Sequence, residues 1–139
     1  MDVNKIFNVF SESPLEEEDK QDYIKWQCTP TYSVGMFKKI IVNHNNIKKT
    51  IIKALRPNAD LSDTEFEDLE SLGQFVTYNR AWEYIKHFNL TSEVWIDSLS
   101  ILYDDTFESV LNSAILFFEN IEEYEKCSLL SKIKNLLPI

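Results

Sequence analysis

The sequence has 139 residues, of which 44% are hydrophobic, as is typical of one folded domain and unlike a disordered chain. Its 2 glycines disfavour a many-stranded protein, whose tight turns need glycine, and its 2 cysteines disfavour a disulfide scaffold. The formal net charge is −9. We expect neither a signal peptide nor a membrane span, because the first residues have no charged start or long apolar run and no apolar run approaches the roughly 18 residues that a span requires. We therefore expect one all-α, cytoplasmic domain covering residues 1–139.

Residues that favour helix N-termini predict where the first two helices begin. Asp2 can cap a short helix over Val3–Phe10, and Ser13-Pro14 begins a second helix that runs to about Gln27. The acidic residues after Pro14 lie near the positive end of that helix dipole. They form either a solvated helix start or a docking surface for a basic partner.

The segment after Pro30 predicts two helices. Thr31 or Ser33 can cap the first, which buries Met36, Phe37, Ile40 and Ile41. The asparagine-rich stretch 43–46 predicts a break, because asparagine side chains compete for backbone hydrogen bonds. A further helix over Ile47–Leu55 would bury Ile47, Ile51, Ile52 and Leu55.

The second half begins with a capping box, Ser62 to Glu65. Apolar residues at spacings of three and four predict a buried helix face that comprises Phe66, Leu69, Leu72, Phe75 and Val76. Gly73 marks a possible kink or boundary, and the helical pattern continues to Phe88. A short helix starts near Thr91.

The clearest element is an antiparallel helical hairpin over residues 105–137, with its joint near Glu119–Glu122. With it, the chain predicts a compact bundle of about seven helices. The adjacent residues Phe117 and Phe118 point about 100° apart on a helix. One of the two rings could therefore lie on the surface and anchor a partner, and Phe118 is our candidate for it. Alternatively, the helix is buried on two sides.

Charge is distributed unevenly along the chain. Residues 25–59 contain seven basic and no acidic residues, whereas the rest of the chain carries −16. The basic segment either meets an external partner of opposite charge or faces the acidic helices within the fold. Its side chains Lys38, Lys48, Lys49 and Lys53 could also contact phosphates of a nucleic acid.

No catalytic or metal motif is present. His44 and His87 lie 43 residues apart, and neither has a second histidine or a cysteine at ligand spacing. Phosphate-binding glycine loops and a nucleophile elbow are also missing. We therefore expect a protein that is not an enzyme and that needs no cofactor or metal.

Residues 114–137, AILFFENIEEYEKCSLLSKIKNLL, resemble a pattern of small helical proteins of tailed phages. This pattern is an apolar helix ending in Phe-Phe-Glu, a short joint, and Glu-Glu-Tyr-Glu-Lys-Cys followed by Leu-Leu. The second half also resembles the UVR hairpin of UvrB, UvrC and Clp-associated proteins. Tyr124-Glu125 stands for its Phe-Glu, Cys127-Ser128 for its paired small residues and Leu130 for its leucine, whereas Ser131-Lys132 replaces its Arg-Asp. The resemblance implies a protein–protein contact module.

Together these patterns predict a non-enzymatic interaction module, a phage-encoded regulator or adaptor that binds a host or phage protein. The predicted contacts are the hairpin tip, with Phe118, Glu122 and Glu123, and the basic side chains of Lys38, Lys48, Lys49 and Lys53. One alternative is a nucleic-acid-binding protein that uses residues 25–59. Another is a virion structural or assembly subunit, which needs a symmetric or repeated interface. The expected location is the host cytoplasm or the virion, and no membrane partner is expected.

Overall fold

The computed structural model describes residues 17–27, 29–55 and 62–138, and these residues form helices and short connections without any strand. The described helices are α1 (Glu17–Gln27), α2 (Pro30–Leu55), α3 (Asp63–Ile85), α4 (Glu93–Leu102), α5 (Asp105–Asn120) and α6 (Tyr124–Asn135). The all-α prediction is confirmed, and six helices in this part of the chain are close to the seven expected. The helix predicted over Val3–Phe10 and the start at Ser13-Pro14 lie outside the described residues.

Side-chain caps fix where two of these helices begin. The Thr29 hydroxyl accepts a hydrogen bond from the Tyr32 N–H at 3.3 Å, with Pro30 in the first helical position. Thr29 therefore caps α2, and the predicted cap at Thr31 or Ser33 is wrong. The predicted cap of α3 is confirmed, because the Ser62 hydroxyl accepts from the Glu65 N–H at 3.2 Å.

α2 runs unbroken through residues 43–46, so the predicted break there is wrong. An asparagine disfavours a helix interior by less than about 1 kcal/mol. Tertiary contact outweighs that cost, because His44 packs against α3, where its ring lies beside Gly73 and Thr77. Gly73 itself lies inside α3 and marks no boundary.

α2 is the central helix, and it contacts α1, α3, α4 and α5. The hydrophobic core collects buried side chains from α2 to the end of the chain. They are Val34, Phe37, Ile41, Tyr78, Ala81, Ile85, Phe88, Leu99, Phe107, Val110, Leu111, Ala114, Phe118, Leu130, Ile133 and Leu137. In α3 the core residues start only at Tyr78, so the first half of that helix lies outside this core.

The predicted hairpin is confirmed as α5 and α6, which pack against each other across a joint at residues 121–123. Glu122 in the joint has φ of 61°, in the left-handed region. Cys127 approaches α5 closely, and its Sγ lies 3.4 Å from the Ile115 carbonyl oxygen. Ser128 is exposed, so only Cys127 of the predicted small pair faces the first helix.

None of the helices in the described part of the chain combines the length and apolarity that crossing a bilayer requires.

Candidate functional site

An exposed apolar surface runs along the C-terminal half of α2 and the N-terminal part of α3. These parts lie farther from the hydrophobic core, and we call them distal; the parts nearer the core are proximal. The surface comprises Ile47, Ile51, Leu69, Leu72 and Val76, and we call it the α2–α3 face. Between 43% and 59% of each of these five side chains is exposed. The sequence predicted all five as buried, together with Phe75 of α3, and all six are exposed. These predictions are wrong because α4 and α5 pack against α2 around its N-terminal core residues and leave this side uncovered.

Two depressions, of about 330 and 470 Å³, follow the groove between the two helices. Both are lined by His44 and Ile47, so they adjoin each other. The distal depression also contains Phe66 and Leu69. The proximal one is bordered by exposed Lys39 and Arg80. The groove is therefore apolar at its centre and basic at its proximal end.

His44 is the main polar group in the groove. Its Nδ1 lies 3.1 Å from the Thr77 hydroxyl, and among the described residues no group hydrogen-bonds to its buried Nε2. Burial lowers the pKa of His44, and the nearby Lys48 ammonium lowers it further, against an opposing effect of Glu70. The imidazole is therefore neutral at neutral pH, which suits a site that binds apolar side chains.

The structure separates the four predicted basic contacts into two groups. Lys38 pairs with Asp104 at 2.7 Å, and Lys48 pairs with Glu70. Lys49 and Lys53 are exposed one turn apart and form no ion pair within the described residues. The basic segment is thus partly neutralised by the acidic helices, and half of its predicted contact residues are already occupied.

Phe118 is fully buried, so its prediction as a surface anchor is wrong. Its ring makes edge contacts with Tyr78, Trp82 and Phe117, at centroid distances of 6.5, 5.9 and 5.2 Å. Phe117 is half-buried and stacks on Tyr78 at 4.6 Å. The alternative of a helix buried on two sides is the one that these contacts favour, because the C-terminal half of α3 covers the second side.

The other two predicted residues at the hairpin tip differ in their surroundings. Glu123 forms an ion pair with Lys126 at 2.5 Å, and the Lys126 ammonium also lies 4.9 Å from the centre of the Phe118 ring. Glu123 is therefore part of a contact that ties the joint to the core. Glu122 is exposed, and it is the one member of the predicted tip that remains open to a partner.

The described residues contain no group of three or more histidine, cysteine, aspartate or glutamate side chains that could hold a metal ion. Burial raises the pKa of the Cys127 thiol, and the carboxylates of Glu119 and Glu123 raise it further. The protonated thiol is a weak nucleophile, so Cys127 serves hairpin packing.

Comparisons with protein-family models, with curated protein sequences and with solved structures found no match for this chain. The candidate site therefore depends on geometry alone. The residues that sequence reasoning missed are those of the α2–α3 face, whose spacing was interpreted as core. The available signal was a pair of charged residues on α3, Glu65 and Arg80, which lie one turn beyond Leu69 and Val76 on the same side of the helix.

Proposed function

We propose that this protein is a non-enzymatic protein–protein interaction module and that the α2–α3 face is its docking surface. The observation that carries the proposal is the exposure of Ile47, Ile51, Leu69 and Val76 along the groove between two packed helices. Exposed Leu72 lies next to Leu69 and Val76 at helical spacing on α3. Large contiguous apolar patches are rare on protein surfaces, and where they occur they often mark interaction sites. The groove between two helices suits the apolar side of a helix, which is a recurrent form of recognition.

The size of the face is consistent with a reversible complex. Fully burying a leucine or isoleucine side chain gains about 1.5–3 kcal/mol. Completing the burial of five half-exposed side chains therefore contributes roughly 5 kcal/mol before the cost of association is subtracted. Additional contacts at the rim, such as Lys39 and Arg80, would add specificity.

The proposed biological role is that of a phage-encoded regulator or adaptor, in keeping with the resemblance of residues 114–137 to phage helical proteins. In this role the hairpin tip contributes Glu122 as a secondary contact. The alternative of a virion structural or assembly subunit shares the same docking surface, since it too requires an uncovered interface.

Nucleic-acid binding through residues 25–59 is the second candidate. The observation in its favour is the exposed pair Lys49 and Lys53. Two lysines neutralise few phosphates, so binding would be weak and would vanish with added salt. Strong binding at moderate salt that Lys49→Glu with Lys53→Glu abolishes would establish this candidate and displace the interaction module.

Affinity capture with matched variants tests the proposal. The wild-type chain, Val76→Glu and Leu116→Glu serve as baits, and captured proteins are identified by mass spectrometry. Leu116 is a suitable control because it is equally exposed but lies on α5. We expect proteins that the wild type and Leu116→Glu capture and that Val76→Glu does not. Identical capture by all three baits would contradict the α2–α3 face as a docking surface for proteins of other sequence.

A further inference from the structure

One stripe on α3 has a charge at each end and apolar side chains between them. Its residues, at helical spacings of three and four, are Glu65, Leu69, Leu72, Val76 and Arg80. All five are exposed, and neither Glu65 nor Arg80 forms an ion pair within the described residues. The stripe is thus acidic at its N-terminal end, apolar in the middle and basic at its C-terminal end.

This order is self-complementary. When two copies of a helix pack antiparallel about a two-fold axis, the residues that face each other have position numbers with a constant sum. An axis next to Leu72 places Glu65 of one copy opposite Arg80 of the other. The same axis places Leu69 opposite Val76 and passes between positions 72 and 73, so that the two Leu72 side chains lie on either side of it. Every member of the stripe thereby meets a chemically suitable counterpart.

We infer that the α2–α3 face docks a second copy of this chain, with the two α3 helices antiparallel. This inference rests on the proposed function and names one partner of that surface. Glu65 and Arg80 are 15 positions apart, or about 22 Å along the helix, so the two ion pairs would close opposite ends of the interface. Ile47 and Ile51 of α2, which line the same depression as Leu69, would widen the apolar contact on that side of the stripe.

The first test measures self-association of the whole chain by sedimentation velocity from about 1 to 500 µM, a range suited to a modest interface. We expect a reversible monomer–dimer equilibrium. Leu72→Glu brings two carboxylates together at the axis and should weaken the dimer by at least about 100-fold. Leu116→Glu, in which an equally exposed leucine on α5 changes, should associate like the wild type.

The second test uses charge reversal at the two ends of the stripe. Arg80→Glu alone and Glu65→Arg alone each create two like-charge pairs in a homodimer, so each should weaken association roughly tenfold. An equimolar mixture of these two variants forms a heterodimer in which both pairs have opposite charges. The mixture should therefore associate more strongly than either variant alone, and circular dichroism confirms that each variant keeps its helices.

A wild-type chain that stays monomeric over the whole range overturns the inference, as does a mixture that associates no better than its components. Neither outcome touches the proposed docking surface, which is judged by whether Val76→Glu loses captured proteins of other sequence. Conversely, a dimer that forms as inferred, together with capture that Val76→Glu leaves unchanged, would limit the face to self-association.

Discussion

The burial of Phe118 predicts a large loss of stability on truncation. Replacing a buried phenylalanine by alanine costs about 3–5 kcal/mol. Phe118 belongs well within that range, because it has aromatic neighbours on α3 and α5 and a lysine ammonium above its ring. We therefore expect Phe118→Ala to lower the free energy of unfolding by about 4 kcal/mol.

For a chain of 139 residues the entropy of unfolding is about 0.3 kcal/mol per kelvin, so the melting temperature should fall by about 13 °C. Urea and thermal denaturation followed by circular dichroism measure both quantities. Leu116→Ala, two positions earlier on the exposed side of α5, is the control and should change stability by less than about 0.5 kcal/mol. A loss below about 1 kcal/mol for Phe118→Ala would refute its place in the core and restore it as a surface anchor.

Three further predictions concern helix starts, helix interiors and pH. Ser62→Ala removes the cap of α3 and should cost about 1 kcal/mol in urea denaturation, whereas an equal loss for exposed Ser71→Ala would contradict the capping role. Gly73→Ala should stabilise the fold by about 0.5–1 kcal/mol, because an added methyl group meets only the His44 ring, at an ordinary contact distance of 3.5 Å. A loss of stability would show that the His44 ring leaves no room for the methyl group. The lowered pKa of His44 means that the unfolded chain binds a proton first as pH falls below 6.5, so stability should decline there and stay constant just above. His44→Gln should remove this decline, whereas His87→Gln, at an exposed position, should keep it. A decline that persists in His44→Gln would show that another group causes it.

Local signals predicted much of the fold. The Ser62 capping box and the joint of the hairpin could both be predicted from the sequence, because each is formed by residues within a few positions of one another. The asparagine stretch 43–46 was misleading for the opposite reason. Its weak local preference was opposed by packing of α2 against α3, which no single segment contains.

The candidate site was harder to predict because an apolar helix face does not indicate what will cover it. Leu69, Leu72 and Val76 have the same spacing as true core residues such as Tyr78 and Ile85. Only the arrangement of α4, α5 and α6 decides which half of α3 is enclosed. Phe118 was misjudged by the same logic, since its covering helix is α3, distant in sequence.

The central claim is that two copies of this chain dock through the α2–α3 face with Leu72 beside the two-fold axis, and a disulfide trap tests it most directly. Leu72→Cys is placed in a chain with Cys28→Ser and Cys127→Ser and is mildly oxidised, with Leu116→Cys in the same background as the control. Two cysteines join only when their Cα atoms approach within about 7 Å. We expect rapid covalent dimerisation of Leu72→Cys and little of Leu116→Cys. Equal rates at both positions, or none at position 72, would contradict it.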